Sequence, residues 1–419
     1  MKLKSQFFKS SSWSFSAVVF RALGGLTINK LFAVFLGPSG ITLLSHFQNL
    51  ISLFTILPSE GVNRGIMKFW SDPKLEESRK KQLFQTGFWI TNLLMLLILA
   101  ALLWYRGFFF DRFITELSTV HFLIIFVPAV FLTLMTAMLN AVILSHRDVK
   151  NYALISIAGV ILLTVTVYFG ITKGNLDEAL LSFVVGYALM FFCTLAYFIK
   201  NRKVYNLSFK APDKKSSRMI WSFIIMAISS IVFGKLLDFA VRDYVIEEFG
   251  ADRTGLWQSV VKISTSYLLV FTGTVGVVYY PKMASLIHDD SALKSYVQKV
   301  MGFVAFVTIL CLGIYYYNKG FFLNLFFADG FDRAAYLVRY QVVGDFFCIM
   351  SYLLAYLLSA RVQTWKYIKA QFFSAAIYLG LICLLLEQYN LEALTMAHMC
   401  RYIGFFVILV IYNRRLLFR

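Results

Sequence analysis

Long apolar runs, broken by short polar stretches, set the pattern of the chain. Runs such as 92–103 and 160–167 lack the period-2 alternation of a barrel strand, so they read as helices. A helix crossing a bilayer needs about 20 mainly apolar residues. On that scale the runs predict spans at roughly 13–36, 41–69, 84–105, 119–145, 150–171 and 179–199. A second set follows at roughly 218–241, 255–280, 298–317, 335–359, 367–387 and 393–412. The expected fold is all-α, a polytopic membrane protein of about 12 transmembrane helices.

Composition agrees with that pattern. Hydrophobic residues make up 59% of the 419, charged residues 15%, and the mean hydropathy is +0.71. A soluble protein built this way would be coated in apolar surface, so lipid is the expected solvent. The basic start of the chain runs into the first span with no small-residue cleavage site, so the N-terminus is expected to stay attached and cytoplasmic. All five cysteines (Cys193, Cys311, Cys348, Cys383, Cys400) fall singly in apolar runs without CxxC spacing and read as packing residues.

Charge gives the orientation. With the N-terminus inside, the cytoplasmic segments collect about 27 Lys and Arg against about 8 in the opposite loops. Both termini are then expected to be cytoplasmic. Most of the +18 net charge is thereby topology and attraction to anionic membrane lipids, and nucleic-acid binding has no place in the account. The basic linker from Lys200 through Ser217 lies near the midpoint. It divides the chain into an N-terminal six-helix bundle, 1–205, and a C-terminal six-helix bundle, 206–419, around a central cavity. A matched feature supports duplication: Lys30 precedes Gly37 and Gly40-Ile41, while Arg242 precedes Gly250 and Gly255-Leu256.

Away from the cations at the span ends, five lie within the membrane: Arg21, Lys30, Lys235, Lys262 and Arg401. A cation at mid-bilayer costs about 2.5 to 3.5 kcal/mol even on the lenient insertion scale, so such residues should face protein or water. Gln258, Lys262 and Ser266 share one helix face, as do Gln341, Asp345 and Tyr352, and Lys235, Asp238 and Arg242. Ser45, Asn49 and Ser52 align in the second span, where Glu60 and Arg64 have ion-pair spacing. The plain reading of each charge is a snorkelling side chain or a neutralised pair that braces the bundle. Against it, Lys30, Lys262 and Arg401 have no acidic residue within one helical turn along the chain, which suits an anionic cargo. Arg21, Lys30, Lys235, Gln258, Lys262 and Arg401 are the candidate substrate-binding residues, and Asp238, Asp345 and Glu60 the candidate coupling or cavity acids. Trp257, Tyr267 and Tyr352 are candidates for stacking on sugar rings, although packing accounts for most aromatic residues in such a chain.

The motifs of enzymes are missing: no GxxxxGK[ST], HExxH or GxSxG occurs, and the five histidines are scattered. Neither catalytic residues, metal nor cofactor is expected. No predicted outer loop exceeds about fifteen residues, which argues against a membrane-embedded glycan polymerase or ligase.

Three segments carry a family resemblance. The first runs Lys30-Leu-Phe-Ala-Val-Phe-Leu-Gly-Pro-Ser-Gly-Ile41 to Phe47-Gln-Asn-Leu-Ile51; the second is Gly255-Leu-Trp-Gln258 through Ile263-Ser to Tyr267 and Tyr280-Pro281. Gln341-Val-Val-Gly-Asp345, leading to Tyr352 and Ala360, is the third. In these the chain resembles the Wzx-type polysaccharide repeat-unit flippases of the multidrug/oligosaccharidyl-lipid/polysaccharide exporter superfamily, in the branch for enterobacterial common antigen lipid III or O-antigen units. The resemblance implies alternating access of a cationic cavity and a cargo of undecaprenyl diphosphate bearing a short oligosaccharide. It places Lys30, Gln258 and Asp345 among the cavity residues. It also implies H+ or Na+ as coupling ion, and a glycan polymerase and chain-length regulator as partners. A cation-coupled multidrug exporter of the same superfamily is the alternative within transport, and it predicts an acidic cavity.

Overall fold

A computed structural model describes residues 2–70, 75–104, 119–146, 148–173, 175–201, 211–275, 279, 282–283, 286–287, 289–361 and 363–418. Side chains of 2–11 and of several further positions, Lys235 among them, lie outside the description. So do most of the basic linker, the loop at 105–118 and Tyr280-Pro281.

The described chain is helical, as its apolar runs require. α1 (Lys2–Trp70) is followed by α2 (Glu77–Trp104), α3 (Thr119–Ser145), α4 (Val149–Ile171), α5 (Leu176–Lys200) and α6 (Lys214–Ile231). A π-helical turn, Val232–Leu236, leads into α7 (Leu237–Thr274). Then come α8 (Asp290–Tyr317), the short α9 (Lys319–Phe326), a 3-10 stretch at Phe331–Leu337, α10 (Val338–Ala360), α11 (Thr364–Tyr389) and α12 (Glu392–Phe418).

Two of these helices are pairs. α1 breaks at Gly37 (φ 66, ψ −162) and α7 at Gly250 (φ 78, ψ 167). Backbone of that kind is open only to glycine, because a Cβ would collide with the chain itself. α1 therefore has limbs 2–36 and 38–70, and α7 has limbs 237–249 and 251–274. The first limb of α7 continues α6 through the π turn. Counted this way, the described helices correspond to the predicted spans one for one, with ends that differ by up to about eleven residues. The chain is a multi-pass membrane protein.

Lipid-facing character is visible helix by helix. α8 leaves Phe303, Phe306, Ile309, Leu310 and Ile314 exposed, a stripe that only hydrocarbon would solvate at no cost.

The chain forms two compact units, Met1–Thr42 with Tyr244–Arg419, and Leu43–Asp243. The first unit thus includes the first limb of α1, and the second includes α6 and the start of α7 up to Asp243. In the first unit the two glycine breaks meet: Thr42 Oγ1 donates to the Ala251 carbonyl at 2.6 Å. A Cβ on Gly255 would lie 2.0 Å from the Pro38 carbonyl oxygen, so the backbones touch directly. Its core gathers Tyr279, Met283, Leu293, Leu353, Leu357 and Leu409. In the second unit Phe47, Phe54, Phe122 and Phe126 form an aromatic core, with Phe54 and Phe126 edge to face at 5.1 Å. There a Cβ on Gly61 would lie 2.5 Å from the Ile224 Cα, so α1 and α6 also pack backbone to backbone.

Candidate functional site

α10 places Gln341 and Asp345 one turn apart on a single face, as their spacing predicts. Asp345 is fully buried, and a carboxylate taken out of water without partners costs several kcal/mol. Four donors surround it. Ser264 Oγ on the second limb of α7 donates to Oδ2 at 2.5 Å, and the Tyr267 hydroxyl, one turn on, donates to the same oxygen. Gln341 Nε2 donates to Oδ1 at 3.1 Å, and His398 Nε2 on α12 lies 2.9 Å from Oδ1. Hydrogen bonds to both carboxyl oxygens offset the cost of burying the group.

The histidine reaches the aspartate because α10 carries a glycine beside it. A Cβ on Gly344 would lie 2.4 Å from His398 Cδ2. The ring occupies that space and meets Tyr402 edge-on at 4.9 Å. One helical turn on, Arg401 donates to Ser374 Oγ at 3.2 Å and stands over the rings of Tyr378 and Tyr402, 5.0 and 5.4 Å from their centroids.

The second unit holds a related group. His46 Nε2 lies 3.5 Å from Asp243 Oδ1, and the imidazole stacks on Phe239 at 4.2 Å. Next to it, buried Arg242 donates to the Ser45 carbonyl at 2.7 Å.

The other predicted residues occupy separate places. Lys30 is exposed and donates to the Leu325 carbonyl at 2.7 Å, where it caps the C-terminal turn of α9. Arg21 is exposed, Lys262 half-buried and Asp238 half-buried. Glu60 forms the i,i+4 ion pair with Arg64. Gln258 is fully buried, and neither of its amide atoms meets a hydrogen-bond partner among the described residues. Trp257 is buried packing, and the Tyr267 hydroxyl is spent on Asp345. Among the described residues no group of His, Cys, Asp and Glu has the arrangement of a metal site. His398 was not singled out from the sequence, and Ser264 and Gly344 stood within the resemblance segments without a role of their own. The one local signal for His398 is the polar face Thr395, His398, Tyr402 on α12.

The chain is 24% identical over 407 residues to the Lipid III flippase of Escherichia coli (strain K12), a match covering 95% of this chain and 96% of that one. The Lipid III flippase of Shigella flexneri matches to the same extent. Among solved structures, an inward-facing multidrug resistance MATE family transporter of the MOP superfamily superposes with a TM-score of 0.75 at 11% identity, over 96% of this chain and 95% of that one. The lipid II flippase MurJ in an inward closed conformation gives 0.72 at 14% identity, over 96% and 87%. By sequence the chain is similar to lipid III flippases along nearly its whole length, and its fold is the one that the MATE transporter and MurJ share. No family model matches it. These sequence relatives are named as flippases, which are transporters and not enzymes.

Proposed function

We propose that the protein moves a lipid-linked oligosaccharide, an undecaprenyl diphosphate bearing a lipid III or O-antigen repeat unit, from the cytoplasmic to the periplasmic leaflet of the inner membrane. The observation that carries the reading is the alignment of this chain, along nearly its whole length, with lipid III flippases. Cations retained inside the spans agree with it, since a diphosphate headgroup crosses hydrocarbon only where positive charge and water replace its solvation. In this account Arg21, Lys30, Lys235, Lys262 and Arg401 line the headgroup route, and Gln258 offers an amide to sugar hydroxyls. The six-span halves, 1–205 and 206–419, alternate access to the two faces with both termini cytoplasmic. The matched glycine breaks at Gly37 and Gly250 support duplicated halves. Asp345 and Asp238 are the acids offered for coupling to H+ or Na+, and a glycan polymerase with its chain-length regulator receives the product. The excess of basic over acidic residues within the spans argues against a cavity for cationic drugs.

The test is reconstitution with a fluorescent polyprenyl-diphosphate saccharide and a membrane-impermeant quencher. Time-dependent protection of the label is expected, slowed by Arg401→Ala and Lys262→Ala at normal protein levels. Protection no faster than in protein-free vesicles, with folded protein present, would refute the proposal.

A further inference from the structure

Asp345 is buried completely while the His398 side chain keeps 19% of its surface exposed. The acid is thus sealed, and its neighbour is not. Histidine is the side chain whose ordinary titration falls near physiological pH, and it exchanges protons with water readily. The shell also discriminates between coupling ions. A hard cation is held by several oxygen lone pairs at once. Here two of the groups on the carboxylate, Gln341 Nε2 and His398 Nε2, are nitrogens, the His398 nitrogen lying 2.9 Å from Asp345 Oδ1 and 3.1 Å from Gln341 Nε2, and the two hydroxyls donate to the carboxylate. Gln341 Nε2 also lies 3.1 Å from Ser264 Oγ, so the amide is oriented with its NH2 toward the carboxylate.

We infer that Asp345 and His398 form a single proton-carrying site, in which His398 takes up the proton on behalf of the sealed acid, so that the coupling ion is H+ and not Na+. The step is an acid–base exchange. A hydronium ion gives its proton to the free ring nitrogen, Nδ1, and leaves as water, while Nε2–H stays on Asp345 Oδ1. The pair passes from one net negative charge to none, and no bond between heavy atoms changes. Because Nε2–H ties α12 to α10 beside Gly344, this change of charge acts directly on the packing of those two helices. The inference rests on the transport reading above and names the coupling ion within it.

The other titratable and charged groups around the pair are identified. Tyr267 faces it from α7, and Tyr315 lies within electrostatic reach from α8. Cys348 does so from α10. Tyr402 contacts the ring from its own helix, with Arg401 beside it and held by Ser374 of α11. Lys262 precedes Ser264 by two residues on α7.

Two measurements on the full-length purified protein need no cargo. The first is pH-dependent hydrogen exchange at histidine C2, read by mass spectrometry at His398, with His121 and His146 as internal references. The exchange profile of His398 is expected to be displaced in Asp345→Asn while the references stay fixed; an unmoved His398 profile overturns the inference. The second is thermal stability at constant pH in sodium against potassium chloride. Equal values are expected, and a sodium-specific gain that disappears in Asp345→Asn overturns it. Gly344→Ala, which crowds the ring without removing either titratable group, is expected to displace the same profile. In vesicles, an imposed pH gradient is expected to speed saccharide movement in the wild type and to lose that effect in His398→Gln; a response kept in that variant counts against the site. If wild-type vesicles move no saccharide at all, the transport reading fails, while the exchange and stability measurements still decide whether a proton site exists.

Discussion

His398 beside Asp345 in one unit, and His46 beside Asp243 in the other, are two versions of an imidazole next to a buried carboxylate. They differ in distance and in which member is open. In the first, nitrogen and oxygen are 2.9 Å apart and the acid is sealed, with 19% of the histidine side chain exposed. In the second they are 3.5 Å apart, the histidine is 2% exposed and the acid 12%. Arg242, adjacent in sequence to Asp243, is buried and donates to the Ser45 carbonyl, whereas the first pair relies on donors from three helices. A carboxylate bonded to hydroxyls, an amide and an imidazole keeps a titratable partner among its neighbours. Under the proposal above, the first pair couples the ion and the second braces its unit.

Several changes break or sharpen that contrast. The largest effect is expected at Asp345→Ala, which orphans four donors in a dry site and should cost about 3 to 5 kcal/mol, the usual loss when one partner of a buried charged group is removed. Asp243→Ala should cost less, about 1 to 3 kcal/mol, because its acid is more exposed. Reversible unfolding in detergent measures both, and equal losses would erase the distinction. Next comes Gly344→Ala, whose added methyl must move the His398 ring or the helix and should cost about 1 to 3 kcal/mol. The same measurement reads it, and an unchanged stability would mean that the ring is not confined by α10.

Smaller still is the effect of neutral replacement of the histidines. His398→Gln is expected to lower gradient-driven transport about tenfold, equivalent to about 1.4 kcal/mol, with the same replacement at His46 leaving more than half the rate. Initial rates in vesicles check the pair, and the reverse order would transfer the coupling role to the second unit.

The smallest change concerns a carboxylate outside the spans. Burial pushes the Asp148 carboxyl up, yet the donors from Asn151 and Tyr197 outweigh it and hold the group below the usual carboxylate range. A lowered value in the folded state means that this bracket stabilises fully above the ordinary carboxylate titration and loses its contribution as pH falls through the lowered value. Tyr197→Phe should remove about 1 kcal/mol near neutral pH and progressively less in acid. Stability curves at several pH values would reveal it, and a loss that is constant with pH would contradict the assignment.

Much of this architecture was legible from residue pattern alone. Apolar runs fixed the spans because the bilayer leaves an exposed backbone no option but a helix. Gly37 and Gly250 stood out because both interrupt such runs at matched places, and the structure gives both a backbone that other residues avoid. The face shared by Gln341 and Asp345 was readable because helical periodicity is local. His398 was not, since it lies 53 residues from Asp345 and only the packing of α12 on α10 joins them. Gly344 looked like part of a motif, and its purpose, room for an imidazole, appears only when the partner helix is in place. Lys30 shows the same limit in reverse. It has no acidic residue within a turn along the chain, yet in space its ammonium meets the carbonyl end of α9, a neighbour that the sequence does not reveal. His46 sits beside the polar face of Ser45, Asn49 and Ser52, but its aspartate comes from a helix almost two hundred residues away, beside the Arg242–Ser45 bond that spans 197 positions.

The most direct measurement is the initial rate of lipid-linked saccharide movement in vesicles holding the wild-type protein, under an imposed pH gradient and, separately, under an imposed sodium gradient. The account predicts movement that is faster than in protein-free vesicles, that rises with the pH gradient and that ignores sodium. Movement no faster than in empty vesicles, or driven by sodium alone, would contradict it.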